Sequence, residues 1–133
     1  MNRTVLIVDE DVNLQIIAET LLRLRDLDVR VATGAVEAGE ILANGDIGVA
    51  VVDLNVRGMN SFELMRRLRD GSIPDLHIVV MTDRREPELE RFARRHGADA
   101  VLRKPLDPGQ FISTVEALLE SAGLRERLAA NRS

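Results

Sequence analysis

Short apolar runs and segments of helical periodicity alternate five times along this chain, and that alternation restricts the fold more than any other feature. Val5, Leu6, Ile7 and Val8 form a β-branched-rich run that stops at Asp9, Glu10 and Asp11. An uninterrupted apolar run of this kind predicts a strand covered on both faces. Leu14, Ile17, Ala18, Leu21 and Leu22 then recur at the spacing of one apolar helix face, with Asp11 available as its cap. Further strands are expected at 29–33, 49–54, 78–81 and 100–102. Between them helices are expected at 35–43, carrying Val36, Ile41 and Leu42, and at 61–69, carrying Phe62, Leu64, Met65 and Leu68 behind Ser61 as N-cap. A turn holding Gly71, Ser72 and Pro74 separates the third helix from the fourth strand. The fourth helix opens at Pro87 and stops at Gly97; the fifth opens at Pro108 and buries Phe111, Ile112, Val115, Leu118 and Leu119.

Five buried strands alternating with about five helices predict an α/β fold, a flavodoxin-like doubly wound parallel sheet of five strands in the order 2-1-3-4-5. The 133 residues, 45% hydrophobic and 30% charged, suit one domain with a real core, expected over 1–122. Residues 123–133 are expected to form a polar C-terminal helical extension or a linker stub, with Leu124 and Leu128 at i, i+4 spacing.

Composition removes whole classes of function. The net charge of −4 gives no basic groove for nucleic acid, so no direct nucleic-acid binding is expected. Absence of Cys removes disulfides, thiolate catalysis and Cys-ligated metals, and the two His residues, His77 and His96, are expected on the surface, so any metal would be held by oxygen. No apolar run approaches the roughly 18 residues of a membrane span, nor does the N-terminus resemble a leader; a cytoplasmic location away from membranes is the expectation. Three Phe are the only aromatics, too few for a stacking or anchor-rich surface.

The strand order gives the polar residues at the strand ends their meaning. Ligands in such sheets bind at the carboxyl ends of the strands where the winding reverses, between strands 1 and 3. Asp9 and Glu10 end strand 1, and Asp53 ends strand 3, so three carboxylates are expected in one crevice. Like charges in a cleft oppose one another, and Mg²⁺, which needs only a few protein oxygens plus water, relieves that repulsion. Strand 4 ends in the hydroxyl of Thr82 and strand 5 in the ammonium of Lys104. Carboxylates, a metal, a hydroxyl and a cation together suit phosphoryl chemistry, with Asp53 the best-placed nucleophile.

Residues 5–11 (Val-Leu-Ile-Val-Asp-Glu-Asp), 51–55 (Val-Val-Asp-Leu-Asn) with Gly58-Met59-Asn60 and Phe62-Glu63-Leu64, 79–82 (Val-Val-Met-Thr), and Gly97-Ala98-Asp99 leading to Lys104-Pro105 resemble, as an ordered set, the receiver domain of two-component response regulators. The resemblance runs roughly from Thr4 to Glu120. It implies that Asp53 is the phosphoacceptor, that Asp9 and Glu10 are the metal-binding acidic pair and that Asn55 ligates Mg²⁺ through its backbone carbonyl. It further implies that Thr82 and Lys104 contact the phosphoryl group and that the Lys104–Pro105 bond is cis. The function it implies is a phosphorylation-dependent signalling switch fed by a sensor histidine kinase or phosphotransfer protein. Such a domain catalyses at most its own phosphorylation and dephosphorylation, and passes the signal to a homodimer or output partner through the face of its fourth helix, fifth strand and fifth helix.

Several positions depart from the family pattern. Asp83 stands where a tiny residue usually leaves room for the phosphoryl group, and an inward-pointing anion there would repel phosphate. Val101 replaces the aromatic whose rotation reports the switch, Glu10 replaces the second Asp, and Arg57 and Ser61 replace the usual Pro and Gly. Arg84 occupies a position that tunes phosphoryl lifetime, while Arg91, Arg94, Arg95 and Arg103 line the output face with Glu88 and Glu90, as a solvated or a partner-reading surface. The alternative function is a pseudo-receiver, an interaction module with the same fold that is never phosphorylated. A Mg²⁺-dependent phosphatase is disfavoured because Asn55 stands where such enzymes carry a second Asp as acid and base. A nucleotide-binding fold is disfavoured by the lack of either glycine-rich phosphate loop.

Overall fold

The computed structural model describes residues 4–44, 46–54, 63, 65, 66, 69 and 76–131, of which 44 and 122–131 by backbone alone. Strands β1 (Thr4–Val8), β2 (Asp28–Ala32), β3 (Val49–Asp53), β4 (His77–Thr82) and β5 (Ala100–Arg103) form one parallel sheet in the order β2-β1-β3-β4-β5. Four helices are assigned among the described residues: α1 (Val12–Arg23), α2 (Ala35–Asn44), α3 (Pro87–Arg95) and α4 (Pro108–Asn131). Glu63, Met65, Arg66 and Arg69 are also helical, as expected for 61–69; the rest of that segment, its Ser61 cap and the turn at 70–75 lie outside the described residues.

Strand alternation divides the core in two. Leu6, Val8, Ala50, Val52, Ile78 and Val80 face one side and pack with Ala38 of α2, Met65, Ala93 of α3 and Ala98. Val5, Ile7, Val49, Val51, Val79 and Met81 face the other and pack with Ala18 and Leu22 of α1 and Phe111, Val115 and Leu119 of α4. Each fully buried Val, Leu or Ile contributes about 1.5–3 kcal/mol, and because both faces of β1, β3 and β4 are covered, each strand is apolar at successive positions rather than at every other one.

Local chemistry sets the helix ends. The Asp11 carboxylate accepts hydrogen bonds from the Asn13 and Leu14 amides at 2.9 and 3.3 Å and so caps α1. Gly97 follows α3 at φ 106°, a conformation that stops the helix and that a side chain resists. Two helix faces differ from the periodic expectation. Ile17 is 48% exposed and Val36 is 75% exposed, because α1 rests on Ala18 and Leu22, and α2 rests on Ala35 and Ala38. Ala35 and Ala38 hold the face of α2 toward the core, with Ile41 and Leu42 partly buried against it, and Val36 lies off that face. The helix α4 continues to Asn131, through residues where a helical extension or a linker stub is expected. None of the helices is long and apolar enough to cross a membrane among the described residues.

Candidate functional site

The register of the sheet brings the polar strand ends together. Val8 pairs with Val52, so Asp9 and Asp53, each one residue further on, stand level on neighbouring strands. Asp53 in turn pairs with Met81, and Met81 with Leu102. Lys104 lies two residues beyond Leu102 and therefore shares its side of the sheet. Its Nζ lies 3.3 Å from Asp9 Oδ2 and 3.3 Å from Asp53 Oδ2. Asp9 is 2% exposed and Asp53 8%, so both carboxylates sit largely out of water at the carboxyl edge of the sheet. Glu10, half-buried, follows Asp9 directly.

Asp9 is the most tightly held of these groups. Its Oδ1 accepts the Asp11 amide at 2.9 Å, its backbone carbonyl accepts the Gln15 side-chain amide, and its own amide donates to the Ala32 carbonyl at 3.1 Å. Burial pushes the Asp9 carboxyl above the usual carboxylate range, and the Asp53 charge adds to the rise; the Asp11 amide and Lys104 work against it. Burial works to lower the Lys104 ammonium, but the charges of Asp9 and Asp53 overcome it and hold the Lys104 pKa above its ordinary value. The cluster is therefore a carboxylate pair locked by one ammonium.

Thr82 ends β4 with no solvent exposure. Its hydroxyl accepts the Arg84 amide at 3.0 Å, and its carbonyl accepts the Lys104 amide at 2.7 Å. Asp83, the next residue, is exposed. The Lys104–Pro105 bond is cis. Asn55 lies outside the described residues, as do Arg57 and the segment 58–62.

These residues fit a hard divalent cation. Asp9 Oδ2 is buried with an ionic contact to Lys104 but no well-directed hydrogen bond among the described residues, and two carboxylates with Glu10 beside them outweigh one ammonium. Among the described residues no three or more His, Asp or Glu side chains converge into a closed cage. Mg²⁺ asks for no such cage, since it keeps several waters and takes only one or two carboxylates.

Among the polar residues, sequence reasoning misplaced His77 and missed a cluster at the opposite end of β4. His77, expected on the surface, is 3% exposed, because β4 begins one residue earlier than expected and the His77 amide pairs with Gly48 inside the sheet. Its Nδ1 lies 3.5 Å from Asp99 Oδ2. Asp99 Oδ2 also accepts the Ile78 amide at 2.8 Å and Arg69 Nη2 at 2.7 Å, while Arg69 Nη1 donates to the Leu76 carbonyl and its Nε to the Gly97 carbonyl. Asp99 thus joins β4, β5 and the helical residue Arg69. An Asp before a short apolar run carries no sign of this, because its partners lie 21 and 30 residues away. The arginines of the expected output face are likewise less free than a solvated surface suggests: Arg94 binds Glu90 at 3.3 Å and the Asp99 carbonyl at 3.0 Å, and Arg103 donates to the Arg84 carbonyl.

Known proteins resemble this chain in sequence and in fold. The chain is 28% identical over 114 residues to the transcriptional regulatory protein CpxR homolog of Haemophilus influenzae, covering 86% of this chain and 49% of that protein. It is 24% identical to the phosphate regulon transcriptional regulatory protein PhoB of Pseudomonas aeruginosa, covering 92% of this chain and 54% of that one. The chain thus spans about half the length of these curated relatives. The CheY-like response regulator receiver domain protein of Methanospirillum hungatei superposes with a TM-score of 0.82 at 23% identity, covering 94% of this chain and 99% of that one. NtrX of Brucella abortus superposes with a TM-score of 0.88 at 21% identity, covering 98% of this chain and 29% of that one. At these identities the two structures speak for the fold. The family model of the response regulator receiver domain matches residues 5–116, and with most of its length inside that match the chain belongs to the response regulator receiver domain family.

Proposed function

We propose that the chain is a phosphorylation-dependent switch in which Asp53 accepts a phosphoryl group. The observation that carries this reading is Lys104 Nζ, 3.3 Å from both Asp9 and Asp53 at the sheet edge, one strand away from the fully buried Thr82. In the reaction, an Asp53 carboxylate oxygen attacks phosphorus and forms a P–O bond. The P–N bond of a phosphohistidine, on a sensor histidine kinase or phosphotransfer protein, breaks; the electron pair stays on the imidazole nitrogen. Lys104 follows the charge on the phosphoryl oxygens, and the Thr82 hydroxyl donates to one of them. Asp9 and Glu10, with Asp53 and the Asn55 carbonyl, would hold Mg²⁺, which when bound supplies charge neutralisation on the transferring group.

Asp83 is exposed, so its charge is not buried where a phosphoryl group would have to enter, which supports this reading over the pseudo-receiver. With Val101 half-buried in the core in place of an aromatic switch, we assign the response to the segment after Thr82 and to the face of α3, β5 and α4, read by a second copy or an output partner. We assign the receiver to residues 1–122 and the polar helical extension to 123–133, and place the protein in the cytoplasm.

Intact-protein mass spectrometry after incubation with acetyl phosphate and Mg²⁺ tests the reading. One phosphoryl adduct is expected, absent without Mg²⁺ and absent in Asp53→Asn. A folded, Mg²⁺-binding protein that takes no adduct overturns it in favour of the pseudo-receiver.

A further inference from the structure

Thr82 is tied to β5 by two routes. In the first, the Lys104 amide donates to the Thr82 carbonyl at 2.7 Å. The second runs through the chain after Thr82: the Arg84 amide donates to Thr82 Oγ1 at 3.0 Å, and the carbonyl of the same residue accepts Arg103 Nη1. Arg103 is the register partner of Thr82, so its side chain starts on the neighbouring strand directly beside it. Arg84 is thereby held at both its polar backbone atoms, by Thr82 on one side and by Arg103 on the other.

A hydroxyl has one hydrogen and two acceptor lone pairs. The Arg84 amide uses one lone pair of Thr82 Oγ1 and leaves the hydrogen for another acceptor, the arrangement a phosphoryl oxygen needs. Asp83, Arg84, Arg85 and Glu86 are all exposed, and an amide on such a segment would fluctuate between the hydroxyl and water. The Arg84 side chain meets Glu86 at 3.6 Å, but that exposed contact lies within the segment itself and does not tie it to the sheet. Arg103, rooted in β5, does.

We propose that Arg103 is a positioning residue for the Thr82 hydroxyl: by holding the Arg84 carbonyl it keeps the Arg84 amide on Thr82 Oγ1 and so orients the hydroxyl for the phosphoryl group. This role rests on the phosphoacceptor reading. It gives a chain without the aromatic at position 101 a direct link between the hydroxyl and the outer face of β5.

The test is the rate of adduct formation from acetyl phosphate and Mg²⁺ in the full chain, for wild type, Arg103→Ala, Arg103→Met, Arg103→Lys, Thr82→Ala and the double variant Arg103→Ala/Thr82→Ala. Loss of one hydrogen bond's worth of orientation slows the reaction about fivefold in Arg103→Ala and Arg103→Met, while Arg103→Lys, which keeps a donor, stays within about twofold of wild type. In the Thr82→Ala background Arg103→Ala has no further effect, because the hydroxyl through which it acts is gone. Amide exchange at Arg84 speeds up in Arg103→Ala. Unchanged rates in both Arg103→Ala and Arg103→Met, or an equal slowing with and without the hydroxyl, overturn the role of Arg103 alone. A wild type that takes no phosphoryl group overturns the phosphoacceptor reading and this role with it.

Discussion

Asp9 and Asp53 share a single ammonium: Lys104 Nζ stands 3.3 Å from Oδ2 of each. Two carboxylates this close, both largely buried, repel one another, and one cation cannot fully neutralise the pair.

Removing that cation exposes the repulsion. Lys104→Met is expected to cost about 2 kcal/mol in metal-free protein, below the usual loss for breaking a buried pair because the lysine side chain is 22% exposed. Mg²⁺ at the proposed site is expected to restore part of the loss by replacing the missing charge. Urea denaturation with and without Mg²⁺ measures both effects. A variant as stable as wild type without metal contradicts the shared-charge account.

Asp9→Asn has the opposite sign. The Asp9 carboxyl titrates above its ordinary value of 3.8 in the folded chain, chiefly through burial, so the folded state binds its proton more tightly than the unfolded state does. The stability this group contributes is present below that value and is lost as pH rises through the folded pKa. Replacing it with the neutral amide therefore stabilises metal-free protein at pH 7. The same change is expected to remove the rise in melting temperature that Mg²⁺ at the proposed site would give wild type. Thermal melts at pH 7 across a Mg²⁺ titration check both halves of this prediction.

Asp99 contributes to the acid limb of the stability profile. Burial alone would raise its carboxyl, but His77, the Ile78 amide and Arg69 together lower it from 3.8 to about 2. Its contribution, about 2 kcal/mol, is present above pH 3.8 and is lost as pH falls through about 2. Asp99→Asn is expected to lose that amount at pH 7 and to show a flatter stability profile between pH 4 and about 2. Urea midpoints across that range read the difference.

Gly97→Ala tests the junction between α3 and β5. The residue sits at φ 106°, and an added Cβ would lie 2.9 Å from Arg69 Nε. Backbone strain and displacement of Arg69 together cost about 2 kcal/mol. Chemical denaturation measures the loss; a neutral substitution contradicts it.

The strand order, the two core faces and the meeting of Asp9, Asp53, Thr82 and Lys104 at one edge of the sheet are legible in the chain, because each rests on local pattern. Five apolar runs predict covered strands, right-handed crossovers leave few orders, and the order alone makes the strand ends neighbours. Asp11 as cap and Gly97 as stop are readable for the same reason, since capping chemistry acts within a few residues.

What the tertiary structure decided depends on distance along the chain. His77 and Asp99 are 22 positions apart, and nothing local marks either as buried or paired. Asp83 is ambiguous in the sequence because a residue just past a strand end can turn either way, and only the folded chain shows it exposed. Val36 is exposed because Ala35 and Ala38 take the face of α2 toward the core, and the hold of Arg103 on Arg84 joins two segments 19 residues apart. Periodicity and turn chemistry are local and can be read from a sequence; the partner of a charged side chain is set by which strands the fold places side by side.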